Sequence, residues 1–281
     1  MRRTSLSYLI IAGGLILGVT ATARSVLVAP HHIFIDHSVR SATVQLFNPS
    51  DQTEEVEIET LFGYPATDST GRVYLYSEPD ENIAAANSRS AAGWIRAFPR
   101  RVTVRPGQRQ TVRLLAQPPA DLPDGEYWTR IVVHARGQRV PLSGIPDSAS
   151  IQVGLDLEVR TLIALTYRKG ELNTGVRLSE VEPRIEGDSL FIRPLLERNG
   201  AAAYIGVLRT EIVDATGEVA RTWEEQVAVY ESLHRQLRYS VTDLAPGPYT
   251  VRLTAATDRD DIQPSDLLMA HPVSDSAVVV R

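Results

Sequence analysis

Cysteine is absent from all 281 residues. That excludes disulfide staples, thiolate metal sites and a cysteine-linked lipid anchor, so the fold must rest on its apolar core. There is no basic tract either, and the charges are interspersed over a net −5, which argues against a nucleic-acid partner. No Gly-x-Ser-x-Gly elbow, His-Glu-x-x-His pair, phosphate loop or Gly-rich dinucleotide turn occurs. His31, His32 and His37 are close in sequence, but neighbours on a strand point to opposite faces, and no cysteine can complete a site. The acidic stretch Asp258, Asp260, Asp261 lacks the spaced oxygen ligands of a calcium loop. The reading is therefore a binding protein and not an enzyme, with no metal and no cofactor.

Long apolar runs are confined to the start of the chain. Met1, Arg2 and Arg3 are followed by an uncharged apolar run over 6–19 and the small residues Ala21, Thr22 and Ala23. These three zones in order predict a secretory signal peptide over 1–23, cut after Ala23. The apolar run is short for a membrane span of about 20 residues. The expected location is the periplasm, with no membrane span in the mature protein. Cleavage removes two arginines and no acid, so the net charge of −5 becomes about −7. The remaining length suits two domains, 24–168 and 169–281.

What fills those domains is short alternating strands between turn clusters, with almost no helical periodicity. Strands are expected over 25–36 with a kink at Pro30, 40–48, 54–61, 94–105, 108–116 and 125–135. Residues 63–93 interrupt the rhythm and read as an insertion or long loop holding one hairpin strand at 72–76. After Lys169 and Gly170 the pattern restarts, with strands expected over 176–181, 189–197, 204–214, 219–230, 235–241, 248–257 and 269–280. The fold class is all-β, two immunoglobulin-like sandwiches in tandem. A weak repeat supports it: Asp121, Leu122, Gly125, Tyr127 and Arg130 match Asp243, Leu244, Gly247, Tyr249 and Arg252 in spacing. A glycine at a corner and a tyrosine whose hydroxyl reaches back to the preceding loop make the tyrosine corner of such sandwiches.

The most unusual stretch is 150–168. Its odd positions, Ile151, Val153, Leu155, Leu157, Val159, Thr161, Ile163, Leu165 and Tyr167, are apolar or threonine, and the even ones are mostly polar or small. A strand of that length exceeds what one small domain covers, so part of its apolar row awaits a partner. The alternative is a core strand bent or broken near Arg160 and Thr161.

These residues resemble the periplasmic pilus-assembly chaperones of the chaperone-usher pathway. The resemblance rests on VLVAPHHIFIDHSVRSATVQLFNPSD, WIRAFPRRVTVRPGQRQTVRLL, GEYWTRIVV and LDLEVRTLIALTYR within 25–168, including Asn48 and the Pro-Gly turn followed by Gln110, Val112 and Arg113. It implies two sandwiches set at an angle and a function as a chaperone. The partners are pilin-like or other secreted subunits, with an outer-membrane usher beyond them. The long strand would cap a subunit by strand donation through Val153, Leu155, Leu157 and Val159. The family also grips the subunit's terminal carboxylate with two basic residues, whose positions here hold His32 and Ala164; Arg160 or Arg168 would have to substitute. The competing reading is a structural or adhesive envelope protein whose long strand is core.

Overall fold

A computed structural model describes residues 26–77, 88–136, 140–141, 154–155 and 158–281. The first half contains β1 (Leu27–Ala29), β2 (His32–Asp36), β3 (Ser41–Phe47), β4 (Glu54–Leu61), β5 (Gly63–Thr67), β6 (Val73–Ser77), β7 (Ile95–Phe98), β8 (Arg101–Val104), β9 (Arg109–Ala116), β10 (Gly125–Arg136), β11 (Val140–Pro141), β12 (Gly154–Leu155) and β13 (Glu158–Lys169). One sheet runs β1-β3-β9-β7, and the sheet packed against it runs β2-β13-β10-β4-β8. Alternation sends Val44 and Leu46, Val56 and Ile58, Val112 and Leu114, Ile131 and Val133, and Ile163, Leu165 and Tyr167 into one core between them.

The second half holds β14 (Val176–Ser179), β15 (Arg184–Glu186), β16 (Ser189–Ile192), β17 (Leu195–Arg198), β18 (Tyr204–Val213), β19 (Val219–Val229), β20 (Ser232–Leu233), β21 (Leu237–Ser240), β22 (Pro248–Ala256) and β23 (Val273–Val280). Sheet β19-β18-β22-β23 faces the two smaller sheets β14-β17-β20 and β15-β16-β21. Their inner rows form a separate core around Leu190, Leu196, Leu208, Ile212, Val251 and Leu253. The fold is two immunoglobulin-like sandwiches. Both tyrosine corners are present: Tyr127 Oη donates to the Pro123 carbonyl at 2.9 Å, and Tyr249 Oη to that of Ala245 at 2.9 Å.

Three expected strands are each two. The 25–36 stretch supplies β1 to one sheet and β2 to the other, the 94–105 stretch supplies β7 and β8 to different sheets, and the 189–197 stretch supplies β16 and β17. Pro30, Pro99 and Pro194 stand at the three crossings, where a residue without an N–H interrupts a ladder at least cost.

Within the 63–93 stretch the hairpin strand expected at 72–76 is present as β6, and 63–67 is corrected from loop to its partner β5, with Gly63 opposite Ser77 and Thr67 opposite Val73. Asp68 Oδ1 accepts from the Thr70 and Arg72 amides at 2.8 and 3.0 Å and closes the turn. The hairpin tip lies on the second sandwich. The His234 N–H donates to Thr67 Oγ1, the Gln236 N–H to the Gly71 carbonyl, and Arg193 Nη2 to the Ser69 carbonyl, each at 2.9 Å. Gly71 has φ +82°, and a Cβ there would lie 2.7 Å from the Gln236 nitrogen, so contact and conformation both require glycine.

Candidate functional site

The outward face of sheet β2-β13-β10-β4-β8 brings the family-like positions together. β2 runs parallel to β13 and places His32 opposite Ala164; β10 places Arg130 on the far side of Ala164; β4 places Leu61 beyond Arg130. His32, Ala164, Arg130 and Leu61 thus form one row across four strands.

His32 cannot act as a cation here. Its Nε2 is 3.0 Å from Thr166 Oγ1, and its ring stacks on Phe34 with centroids 4.2 Å apart. Burial, reinforced by the positive charges of Arg130, Arg168 and Arg259, pulls its pKa down to about 3. The ring is neutral near pH 7. Ala164 contributes no polar side-chain atom.

The two substitute cations expected from sequence differ in how committed they are. Arg168 Nε donates to the buried Glu126 carboxylate at 2.9 Å, Nη1 to the Asp266 carbonyl at 2.5 Å, and the guanidinium covers the Phe34 ring at 4.5 Å. It joins the sandwiches. Arg160 is exposed and donates from Nε to Glu158 Oε1 at 2.8 Å. Glu158 also accepts from His134, and those two bonds draw its pKa down to about 2.

Sequence reading missed Arg130. Its Nε donates to the Gly63 carbonyl at 3.0 Å, its guanidinium lies 5.3 Å from the Tyr230 ring, and among the described residues its buried Nη2 has no hydrogen-bond partner. A charged nitrogen left so is costly, and it marks a place able to accept an anionic oxygen. The sequence signal available was the run Glu126, Trp128, Arg130, in which a large aromatic residue stands among the polar positions of the strand; that these positions are as buried as the odd ones shows only in the fold.

Around Arg130 the sandwiches meet in a third, aromatic core of Phe62, Trp128, Ala203 and Tyr230, with Tyr64 against it. Trp128 meets Tyr230 edge to face at 4.9 Å. Glu126 Oε1 accepts from Trp128 Nε1 at 2.8 Å and from the Ala203 N–H at 2.9 Å.

Of the strand-donation residues, Val159 lies half-buried near the start of β13, and Leu155 lies in β12, paired with Val140. Val153 and Leu157 fall outside the described residues. β13 is continuous through Arg160 and Thr161, so no break occurs there. It pairs with β10 along its whole length but with β2 only over 164–168. Among the described residues, no strand pairs with the other edge of β13 over 158–163.

The site and fold define a two-sandwich β protein with an edge that no strand among the described residues covers, beside an arginine-bearing interdomain face. No family model matches the sequence, and no curated protein matches it. Solved structures similar to it include the Pseudomonas aeruginosa CupB2 chaperone, at 13% identity over 90% of this chain and 100% of that one, TM-score 0.45. Another is the YadV chaperone, at 14% identity over 90% and 99%, TM-score 0.43. A third is the Salmonella enterica SafA pilin in complex with the SafB chaperone, at 14% identity over 90% and 97%, TM-score 0.41.

Proposed function

We propose that this chain is a periplasmic chaperone for pilus or other surface-fibre subunits. In this reading a signal peptide, 1–23, precedes a subunit-binding domain, 24–168, and a second domain, 169–281. The edge of β13 over 158–163, unpaired among the described residues, carries the proposal. An edge with free N–H and C=O groups is a hazard unless something pairs with it. A subunit lacking a strand of its own exposes the same groups and an apolar groove, so one added strand satisfies both. Ile163, Leu165 and Tyr167 are committed to the core, so the donated row is Val159 and the residues before it, Leu157, Leu155 and Val153. Arg130, with its unpartnered Nη2, is the anchor for the subunit's carboxylate in place of Arg160 or Arg168.

The test is the double change Leu155→Ser with Leu157→Ser, measured by urea melting and by co-purification with a co-expressed subunit. Under strand donation the melt shifts by no more than about 0.5 kcal/mol and the subunit is lost. If the protein is a structural or adhesive one with this strand in its core, two large-to-small core changes, each costing about 2 to 5 kcal/mol, unfold it.

A further inference from the structure

The opposite face of the first sandwich has a different chemistry. Strands β1, β3, β9 and β7 read LVA, SATVQLF, RQTVRLLA and IRAF, and none contains an acidic residue. Three arginines, Arg96, Arg109 and Arg113, point outward from them and are exposed. The chain as a whole is acidic, at −5. Elsewhere on the surface arginines meet acids: Arg101 with Glu57, Arg160 with Glu158, Arg177 with Glu197, Arg209 with Glu224 and Arg252 with Glu211. Among the described residues, Arg96, Arg109 and Arg113 make no ion pair.

Register sets these arginines beside apolar side chains. Leu27, Phe47 and Arg109 form one row across three strands, and the Arg109 guanidinium lies 5.2 Å from the Phe47 ring. Thr43, Arg113 and Phe98 form a second row, and Ser41, Leu115 and Arg96 a third. Phe98 is 65% exposed and Leu27 59%, far more than packing within this sheet requires. Arginine beside exposed aromatic and aliphatic side chains is the composition of interface centres, where guanidinium groups bind carboxylates in pairs.

We infer that this face docks an acidic protein segment, one that places carboxylates on Arg96, Arg109 and Arg113 and apolar side chains against Phe98 and Leu27. Charge complementarity sets the sign of the partner. The flat strand surface sets its class: Phe47 lies beneath Arg109, and Leu27 and Phe98 project from the opposite edge strands β1 and β7 with Arg109 and Arg113 between them, so nothing here forms the wide continuous apolar face that inserts into a bilayer. A second copy of this chain is a poorer fit, because on β4 Glu57 is engaged by Arg101 and Glu59 lies beside Arg100, which among the described residues leaves Glu55 as the one carboxylate of that outward row without an ion pair, against three arginines. The surface is on the other side of the sandwich from β13, so it operates independently of strand donation.

The experiment uses the full mature chain and a short synthetic peptide alternating glutamate with leucine and phenylalanine. Binding is followed by fluorescence anisotropy at low and high salt, and its location by hydrogen exchange. Wild type is expected to bind with an affinity that falls as salt rises, with new protection over 41–47 and 109–116. The pair Arg109→Gln with Arg113→Gln should weaken binding about tenfold or more, and Phe98→Ser should weaken it separately. The pair Arg177→Gln with Arg184→Gln makes the same change in net charge on the other domain and should leave binding unchanged. All these positions are exposed, and circular dichroism verifies the fold of each variant. Absence of peptide binding, equal loss in both arginine pairs, protection mapped elsewhere, preference for phosphatidylglycerol vesicles over the peptide, or self-association abolished by the Arg109 and Arg113 changes would each overturn the inference.

Discussion

Arg168 Nε and the carboxylate of Glu126 meet at 2.9 Å, and Glu126 has no exposed surface at all. The carboxylate is otherwise satisfied by Trp128 Nε1 and by the Ala203 N–H of the second sandwich. The pair therefore acts as an internal fastener between domains. A charge in such a place is tolerable only while every partner remains.

The consequence for Glu126→Ala is severe. It strands the Arg168 guanidinium and two buried N–H donors, and the expected loss is about 3 to 5 kcal/mol, read as a lowered midpoint in urea or guanidinium. Replacing Glu126 by Gln retains the acceptor and should cost less. Equal stability of Glu126→Ala and wild type would contradict the fastening role.

Acid should weaken the protein through His32. An unfolded imidazole titrates near 6.5, whereas the folded one is held at about 3 by burial and by the nearby arginines. Between those values the unfolded chain binds more protons, so stability present above pH 6.5 is lost as pH falls toward 3. The slope from this one group is at most about 1.4 kcal/mol per pH unit. Urea melts of wild type and His32→Gln at a series of pH values should converge as the pH drops, and parallel curves would count against the assignment.

Heating should reveal one cooperative transition rather than two. Phe62, Trp128 and Tyr230 bury one another across the two sandwiches, and the hairpin tip is bonded to residues 193, 234 and 236. Trp128→Ala is expected to cost about 3 to 5 kcal/mol and to separate the calorimetric transition into two. Limited proteolysis should spare 63–77, opposite to the expectation from composition.

Much of this architecture was legible in period-two alternation. β4 and β9 begin and end within a residue or so of where their apolar rows do, because each has one face on a core and the other toward solvent. The tyrosine corners followed from a glycine and a tyrosine at fixed spacing. Of the hairpin only one strand was legible, expected at 72–76 and found at 73–77; its partner strand and its docking were not. Its anchoring bonds come mostly from backbone groups of residues more than a hundred positions away, which leave no pattern in 63–77 itself. Arg130 was hidden for a related reason: its burial depends on Tyr230, on the other sandwich, so alternation alone assigned it to solvent. The His32 and Ala164 positions could be aligned from sequence, but the neutral state of His32 comes first from burial and then from three nearby arginines, and both are tertiary.

One more property is set where the chain crosses from β1 to β2. Residues 27–29 are tied to β3, so the strand cannot reach β13 before His32, and its coverage begins at Ala164. That crossing works as a ruler. Each residue by which it moved toward the N-terminus at constant register would hide one more residue of β13 without changing which side chains face inward, whereas a one-residue slip of the β2–β13 register itself would turn His32 into the core. The length of open edge is thus metered by the other sheet, through the three residues of β1, and can be retuned without altering any residue of β13 itself.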